Sequence, residues 1–313
     1  MEAPVSKRSV GTLGRGGHVI GIDGGGSHSR LVAIDKNKKI LGRSFSGSTN
    51  LSSEKYDVVF ANIKALCDII HMPHNDCLSI CIGSAGISND DRIQTIRDIF
   101  RKLGYTCPLK IMNDAELVLL VTTNKEPGII IISGTGSIGY AIDDTGELFR
   151  VGGWGHIIDD GGSGYRIGMD AVKFALMDLD RRGSKTILTN LVLDFLNSKN
   201  AIEVCNLIYN DFNKSKIAEM ALIVKDASIK GDKIANAIEQ KAAEELISLA
   251  CTLINISKLF NHKIVLSGGV ILNNANIRTI FEKAIYEKYP NMQIISAGES
   301  IELGAAYLAL DEV

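Results

Sequence analysis

The chain repeats one order of segments twice, and this internal duplication constrains its fold more than any other feature of the sequence. Val19–Ser27 and Ile129–Ser137 are apolar runs that end in turns rich in glycine and serine. Each is followed by a second apolar segment, Leu31–Ile34 or Tyr140–Ile142, and then by a polar turn. This pattern is typical of a β-hairpin with a glycine-rich tip. A two-fold repeat of this size predicts two related lobes.

Two further pairs of segments continue the repeat in the same order. Leu78–Gly86 corresponds to Lys263–Val270, and each segment is predicted to be a buried strand that stops at small residues. Leu109–Leu120 corresponds to Gln293–Leu310, and each contains a strand, a short loop and a helix. The chain is therefore predicted to form an α/β fold of two duplicated lobes, each with a mixed sheet, around a central cleft.

The length of 313 residues agrees with two lobes, because few single cores grow this large. Residues 1–17 lack apolar periodicity and are predicted to be a disordered tail. The first lobe is predicted over residues 18–117 and the second over residues 118–313. We expect the second lobe to contain a helical insertion over residues 162–260, and its C-terminal helix to pack back towards the first lobe.

Charge and cysteine content restrict the cellular setting. The net charge of −2 provides no field that would attract nucleic acid or an anionic membrane surface. The sequence has no apolar run of membrane-spanning length and no signal-peptide core. Its six cysteines include no Cys-x-x-Cys pair, which is typical of reduced cytosolic proteins. We predict a cytoplasmic protein without nucleic-acid or membrane partners.

The two glycine turns have the composition of phosphate-binding loops. Glycines after a strand allow several backbone N–H groups to converge on an anion without interference from Cβ atoms. An ordinary hairpin turn is the alternative for either loop alone, but their recurrence at matching places favours phosphate binding. The predicted contacts are Gly24, Gly25, Gly26, Ser27, Gly134, Thr135, Gly136 and Ser137.

A dinucleotide-binding site is the main competing interpretation of the second loop. Gly134–Gly139 satisfies the pattern G-x-G-x-x-G, but that pattern requires a helix after the loop. Tyr140–Ile142, followed by a turn, instead has the character of a strand. The Rossmann interpretation therefore fails, and the P-loop and protein-kinase patterns are absent from the sequence.

Four of these segments resemble, in their order, the phosphate-1, connect-1, phosphate-2 and adenosine motifs of the sugar kinase/actin/Hsp70 ATPase superfamily. The segments are Ile22–Ser27, Asn113–Ala115, Ser133–Ser137 and Ser267–Gly269. The segment from Gly152 to Tyr165 further resembles the N-acetylglucosamine kinase branch, the BadF/BadG/BcrA/BcrD ATPase family. The resemblance extends over nearly all of the chain from His18 onward. It implies two ribonuclease H-like, actin-like ATPase lobes around a nucleotide cleft, with ATP and Mg²⁺ as cofactors.

Phosphoryl transfer requires a carboxylate that accepts the proton of the attacking hydroxyl. Asp114 follows the buried strand Ile111–Met112 and begins a helix, whose dipole should help to keep it ionised. The resemblance assigns the general base to the same aspartate. A plain helix cap is the alternative, although Asn113 could cap the helix while Asp114 points outward.

Asp23 precedes the first glycine loop, where a carboxylate would repel phosphate unless a cation intervened. We therefore predict that it holds Mg²⁺ through water, with an Asx turn as the alternative. Gly268 and Gly269 are predicted to let adenosine lie against the backbone, or else merely to end a strand.

For the substrate, the resemblance implies a sugar contact at Asn50, and Trp154 is predicted to be either an exposed platform for a sugar or acyl group or a buried packing residue. Asp160 could accept sugar hydroxyls. The family has a glutamate after this aspartate, whereas this chain has Gly161, which leaves one expected carboxylate missing. The predicted substrate contacts are Asn50, Ser84, Asn113, Gly153, Trp154, Gly155 and Asp160.

The resulting hypothesis is an ATP-dependent kinase of a small amino sugar, with N-acetylglucosamine, N-acetylmuramate or glucosamine as acceptor, that forms a homodimer. An ATPase that activates a partner enzyme, such as a CoA dehydratase, is the alternative. A sugar sensor that binds ATP without turnover is a third hypothesis, which the presence of both Asp23 and Asp114 disfavours.

Overall fold

The computed structural model describes residues 17–26, 28–87, 89–210, 213–298 and 300–313. Of the predicted tail, residues 1–16 lie outside this description. The described residues form two compact units, one running up to Lys125 and including Gly298–Val313, the other comprising Glu126–Ala297. The first unit thus extends beyond residue 117, where the sequence prediction ended it.

The elements of both units follow one another along the chain. The strands are β1 His18–Gly24, β2 His28–Asp35, β3 Ile40–Gly47, β4 Cys77–Ser84, β5 Leu109–Asn113, β6 Gly128–Ser133, β7 Ser137–Ile142, β8 Leu148–Val151, β9 Lys263–Ser267 and β10 Gln293–Ser296. The helices are α1 Tyr56–Ile69, α2 Asp90–Lys102, α3 Asp114–Thr122, α4 Gly164–Leu179, α5 Leu188–Phe195, α6 Ala201–Asn210, α7 Lys214–Glu219, α8 Ala221–Ile229, α9 Lys233–Ser257, α10 Gly269–Asn273, α11 Ala275–Lys288 and α12 Ile301–Leu310. A short 3₁₀ helix spans His74–Asp76.

The two sheets have the same topology. In the described residues each has five strands, in the orders β3-β2-β1-β4-β5 and β8-β7-β6-β9-β10. The central strands β1 and β6 pair antiparallel with the next strand of the chain and parallel with β4 and β9. This repetition confirms the predicted α/β fold with two mixed sheets. Strand β8 was not predicted, because its residues are partly exposed and lack a clear apolar alternation.

Both faces of the first sheet are covered, which explains why its central strands are almost continuously apolar. Successive side chains of a strand point to opposite faces. Ile20 and Ile22 of β1 therefore belong to the core shared with α1 and α2. Val19 belongs to the core on the other face, which contains Ala305 and Ala309 of α12.

The approach of α12 to β1 depends on Gly21. A Cβ atom at this position would lie 2.1 Å from the backbone nitrogen of Ala306 and 2.2 Å from the carbonyl oxygen of Glu302. Because both contacts are with backbone atoms of the helix, no side-chain rotation would relieve them. Glycine therefore lets the helix backbone lie directly against the strand.

In the second unit, the helices α4–α9 follow one another between Gly164 and Ser257. The predicted status of residues 162–260 as an insertion stays a prediction. The core packs Ile167 of α4 and Val224 of α8 with Leu246 and Leu253 of α9. Helix α9 begins where the carboxylate of Asp232 accepts hydrogen bonds from two backbone N–H groups, each at 2.9 Å. None of the helices in the described residues is long and apolar enough to cross a membrane.

We expect Gly21→Ala to destabilise the protein by about 2 kcal/mol or more, because overpacking of a tight interface costs energy of this order. Thermal unfolding should show a lower Tm. Gly298→Ala is the matched control, since no described atom lies within 4 Å of a Cβ atom built there. Equal Tm values for the two variants would contradict this explanation of the α12 packing.

Candidate active site

The carboxyl ends of β1, β4 and β5 meet at one edge of the first sheet. The three strands are parallel, and their register places Gly24 beside Ser84 and Ser84 beside Asn113. Asp23 lies one residue before the end of β1, and Asp114 immediately follows β5. Ligands of open α/β sheets bind at such carboxyl ends. The fold therefore brings the two predicted catalytic carboxyl groups to the same edge.

The first glycine turn is closed by backbone hydrogen bonds. The N–H of Gly25 donates to the carbonyl of His28 at 3.0 Å, and the N–H of Ala85 donates to that of Gly24 at 2.7 Å. A Cβ atom at position 24 would lie 2.3 Å from the hydroxyl oxygen of Thr49, so this position requires glycine. Ser27, a predicted phosphate contact, lies outside the described residues.

Thr49 is a buried residue that connects the elements of this edge. Its hydroxyl accepts a hydrogen bond from Ser29 at 3.3 Å, and its carbonyl accepts one from the hydroxyl of Ser84 at 3.0 Å. These bonds fasten the segment after β3 to strands β2 and β4. Ser84 is fully buried, and its hydroxyl makes this internal contact, while its predicted sugar contact stays a prediction.

Asn50 is held beside the glycine turn. Its side-chain oxygen accepts a hydrogen bond from the N–H of Ser52 at 2.8 Å. Its amide nitrogen lies 3.7 Å from the position of a Cβ atom on Gly26. Gly86, at φ +75°, passes so close that a Cβ atom there would lie 2.0 Å from the same side-chain oxygen. The amide nitrogen of Asn50 is thus positioned next to the first loop.

Asn113 caps helix α3, and Asp114 follows it, while the catalytic role of Asp114 stays a prediction. The side-chain oxygen of Asn113 accepts a hydrogen bond from the N–H of Glu116 at 2.7 Å and caps α3. Asp114 is the first residue of that helix. Burial is the main cause that raises the pKa of its carboxyl group to about 6; the N–H of Ala115 acts in the opposite direction, and the nearby Asp23 acts in the same direction as burial. Burial therefore outweighs the hydrogen bonding at the start of the helix.

Asp23 lies in a group of charged side chains. Burial raises the pKa of its carboxyl group, Arg30 lowers it and Glu302 raises it. Arg30 is its direct neighbour across the β1–β2 pair. Glu302 is buried at the start of α12 and forms an ion pair with Arg43 of β3, which is 259 residues away in sequence. No local pattern indicates that pair, and the sequence prediction missed both residues.

The carboxyl groups of Asp23 and Asp114 have the chemistry to bind a divalent cation. The charge on Asp23 raises the pKa of Asp114, so the two carboxylates repel each other. A bound Mg²⁺ would relieve this repulsion, and carboxylate oxygens are the ligands it prefers. The observation agrees with the predicted role of Asp23, which stays a prediction.

In the second unit, the other glycine loop packs on residues 161–165. The hydroxyl of Ser133 donates to the carbonyl of Gly162 at 2.7 Å, and that of Ser137 donates to the carbonyl of Gly161 at 2.6 Å. The N–H of Gly164 donates to the carbonyl of Gly134 at 2.8 Å. The hydroxyl of Ser137 is therefore engaged within the protein, although it was predicted to contact phosphate.

The predicted adenosine loop adjoins this phosphate loop. Gly268 has φ +93°, and a Cβ atom there would lie 2.4 Å from the carbonyl oxygen of Ser133. A Cβ atom on Gly134 would lie 3.8 Å from the Cα atom of Gly268 and 4.0 Å from the nitrogen of Gly269. Gly134, Gly268 and Gly269 thus form a backbone surface without side chains where the two loops meet, to which a nucleotide could bind closely.

Buried Glu239 of α9 anchors the helices after the adenosine loop, and the sequence prediction missed it. Its carboxylate accepts hydrogen bonds from the side chains of Asn274, which caps α11, and of Asn276 at 2.7 Å. The hydroxyl of Ser228 donates to the same carboxylate at 2.6 Å. The buried carboxylate of Glu239 is thus hydrogen-bonded by neutral donors, and its bond to Asn274 holds the start of α11 in place.

Trp154 is 64% exposed, so the buried packing alternative is wrong. The guanidinium group of Arg150 lies 4.2 Å from the centre of its ring. The same group donates to the carbonyl of Gly153 at 2.7 Å. Gly153 and Gly155, at φ +71° and +96°, shape the loop that presents the ring. Its role as a substrate platform stays a prediction.

Asp160 is buried, adopts φ +65° and forms an ion pair with Lys214 at 2.9 Å. The next residue, Gly161, is where the family pattern implied a further carboxylate. A Cβ atom there would lie 2.8 Å from a carboxylate oxygen of Glu245 of α9. The side chain of Glu245 therefore occupies the space that a side chain at position 161 would need.

The duplicated sheets, with glycine loops at their hairpin tips and carboxyl groups at their strand ends, define an actin-like ATPase fold. Solved sugar kinases have this fold. A Chromobacterium violaceum protein provisionally named an N-acetylglucosamine kinase matches with a TM-score of 0.75 at 24% identity, covering 94% of this chain and 99% of the other. The ROK family glucokinase of Streptomyces griseus, solved with glucose and AMPPNP, matches with a TM-score of 0.57 at 18% identity, covering 94% and 100%.

Within this class, the chain belongs to the BadF/BadG/BcrA/BcrD ATPase family, whose profile matches residues 20–309. This confirms the family that the segment from Gly152 to Tyr165 indicated. The N-acetylmuramic acid/N-acetylglucosamine kinase of Clostridium acetobutylicum is 38% identical over 302 residues, which are 94% of this chain and 99% of the relative. The N-acetyl-D-glucosamine kinase of Dictyostelium discoideum is 31% identical over 310 residues, which are 93% and 97% of the two chains.

The raised pKa of Asp114 predicts a specific pH dependence of stability. In the unfolded chain an aspartate titrates at about 3.9. The folded protein therefore resists ionisation of Asp114, and the stabilisation present below pH 4 is lost as the pH rises through about 6. Asp114→Asn should thus raise the free energy of unfolding at pH 8 by about 2 to 3 kcal/mol, and by little at pH 4.

Urea unfolding at both pH values, without ligands, measures this difference. Asp57→Asn is the matched control, because Asp57 is an exposed carboxyl group in the first turn of α1. A stabilisation by Asp114→Asn that did not depend on pH would show that burial of the charge is not the cause.

Proposed function

We propose that this protein is an ATP-dependent kinase that transfers the γ-phosphoryl group of ATP to a hydroxyl group of an amino sugar. The proposed acceptor is N-acetylglucosamine, N-acetylmuramate or glucosamine. The observation that carries the proposal is the partly buried Asp114 at the strand edge it shares with Asp23 and the first glycine loop. The names of the two curated relatives support a sugar kinase over an activator of another enzyme.

Asp114 serves as the general base in this proposal. A base is most effective when its pKa lies near the working pH, and burial raises the pKa of Asp114 to about 6. At neutral pH the carboxyl group is then largely ionised and can accept the proton of the attacking hydroxyl. The cap at Asn113 and the N–H of Ala115 fix its orientation at the start of α3.

The nucleotide is bound by the glycine loops. In the second unit, the backbone of Gly134–Ser137 contacts the phosphates, and the Gly268–Gly269 backbone contacts adenosine. The N–H of Gly134 is engaged within the loop, where it donates to the carbonyl of Gly136 at 2.9 Å. In the first unit, the backbone of Gly24–Gly26 lies against the phosphates, although the N–H of Gly25 is already engaged by the carbonyl of His28. Asp23 holds Mg²⁺ through water. When bound, Mg²⁺ neutralises charge that develops on the phosphate oxygens.

The amino sugar is recognised by polar groups around the first loop and by the segment that contains Trp154. The amide of Asn50 offers hydrogen bonds, and the exposed ring of Trp154 offers an apolar face. Ser84, Asn113, Gly153, Gly155 and Asp160 complete the proposed substrate contacts. The homodimer and the cytoplasmic location stay predictions.

Asp114→Asn should lower kcat by about 10²- to 10⁴-fold, because the hydroxyl would lose its proton acceptor. A coupled assay of ADP release over a panel of hexoses and amino sugars measures this change. Calorimetric affinity for ADP should be nearly unchanged. Glu116→Gln, in the first turn of the same helix, is the control and should retain activity. Full turnover by Asp114→Asn would exclude this residue as the base.

Asp23→Asn should raise the Mg²⁺ concentration required for half-maximal activity, by about tenfold or more, because a neutral amide binds this cation weakly. A magnesium titration at saturating ATP and sugar measures this requirement. An unchanged magnesium requirement would place the cation elsewhere.

A further inference from the structure

An ion pair lies directly against the second glycine loop. The ammonium group of Lys214 is 2.9 Å from a carboxylate oxygen of Asp160. A Cβ atom built on Gly136 would lie 3.1 Å from that oxygen and 3.4 Å from the ammonium nitrogen. Both charges thus face the backbone of the loop at the same residue.

The two partners differ in their exposure. The side chain of Asp160 is 5% exposed, whereas that of Lys214 is 32% exposed. An ammonium group has three N–H donors, and the structure directs one of them to Asp160. The cation therefore forms the accessible side of the pair, next to the loop.

The loop itself provides no charge. Ser133–Ser137 contains only serine, glycine and threonine, so its attraction for an anion comes from backbone and hydroxyl dipoles. The carboxylate of Asp160, so close to Gly136, would by itself repel a phosphate. Lys214 removes this repulsion and adds a charge-assisted donor.

The backbone that carries Lys214 is fixed by packing. Ile217 of the same helix is buried, and its carbonyl oxygen lies against α4, where a Cβ atom on Gly168 would approach it to 2.1 Å. The side chain of Asn213 caps the helix by accepting a hydrogen bond from the N–H of Lys216 at 2.9 Å. The ammonium group is thus held by a short, anchored helix as well as by Asp160.

We propose that Lys214 contacts phosphate: its ammonium group donates a hydrogen bond to a phosphoryl oxygen of a nucleotide bound at the Ser133–Ser137 loop. Asp160 holds the ammonium group in place. This inference rests on the proposed function and adds to it the cation that the loop lacks. Since Asp160 and Lys214 are 54 residues apart, no local motif indicates their pairing.

The test is isothermal titration calorimetry of wild type and Lys214→Met with AMPPNP, ADP and adenosine, in the presence of Mg²⁺. Loss of a charge-assisted hydrogen bond should weaken the binding of AMPPNP, ADP or both by about 10- to 100-fold. Adenosine affinity should not change. Lys216→Met is the matched control, because it removes an exposed lysine from the same helix and should bind all three ligands like wild type.

A double variant tests whether Lys214 contacts the phosphate directly or acts only by neutralising the buried carboxylate of Asp160. Lys214→Met combined with Asp160→Asn removes both charges, so no unpaired carboxylate remains beside the loop. Persistent weak binding of AMPPNP or ADP supports the contact, whereas recovery of wild-type affinity would overturn it. Equal affinity of wild type and Lys214→Met for both phosphorylated ligands would also overturn it and leave the kinase proposal intact. A wild-type protein that bound neither nucleotide would instead refute the proposed function.

Discussion

The pairing of each central strand determines where chemistry can occur in this protein. Strands β1 and β6 pair antiparallel on one side and parallel on the other. The antiparallel side places a hairpin tip at the carboxyl end of the central strand, and the parallel side places the ends of further strands at that same edge. Glycine-rich turns and strand-end side chains therefore become neighbours in each unit, without any special arrangement of the connecting helices.

Burial then gives the strand-end groups of the first unit their properties. Asp23 and Asp114 are partly buried, and both pKa values rise for this reason first. A carboxyl group on an exposed turn would gain no such shift. The close packing of α12 on β1 thus contributes to both stability and electrostatics, because Glu302 of that helix also raises the pKa of Asp23.

Much of this arrangement could be predicted from the sequence because the decisive signals are local. The duplicated hairpins, the glycine loops and the Asn113-Asp114 turn each lie within a few residues, and the structure retains their order. The prediction failed where contacts join distant segments. The pair of Arg43 with Glu302 spans 259 residues, and neither residue belongs to a recognisable pattern. Edge strand β8 was missed because partial exposure removes the apolar alternation on which strand prediction relies.

The contact between Gly161 and Glu245 couples two positions that are far apart in the chain. In this protein the side chain of Glu245 occupies the space between α9 and the segment before α4. That side chain is exposed, so a residue larger than glycine at position 161 requires Glu245 to adopt another rotamer or to be replaced by a smaller residue. Any redesign of this part of the second unit therefore has to treat the two positions together.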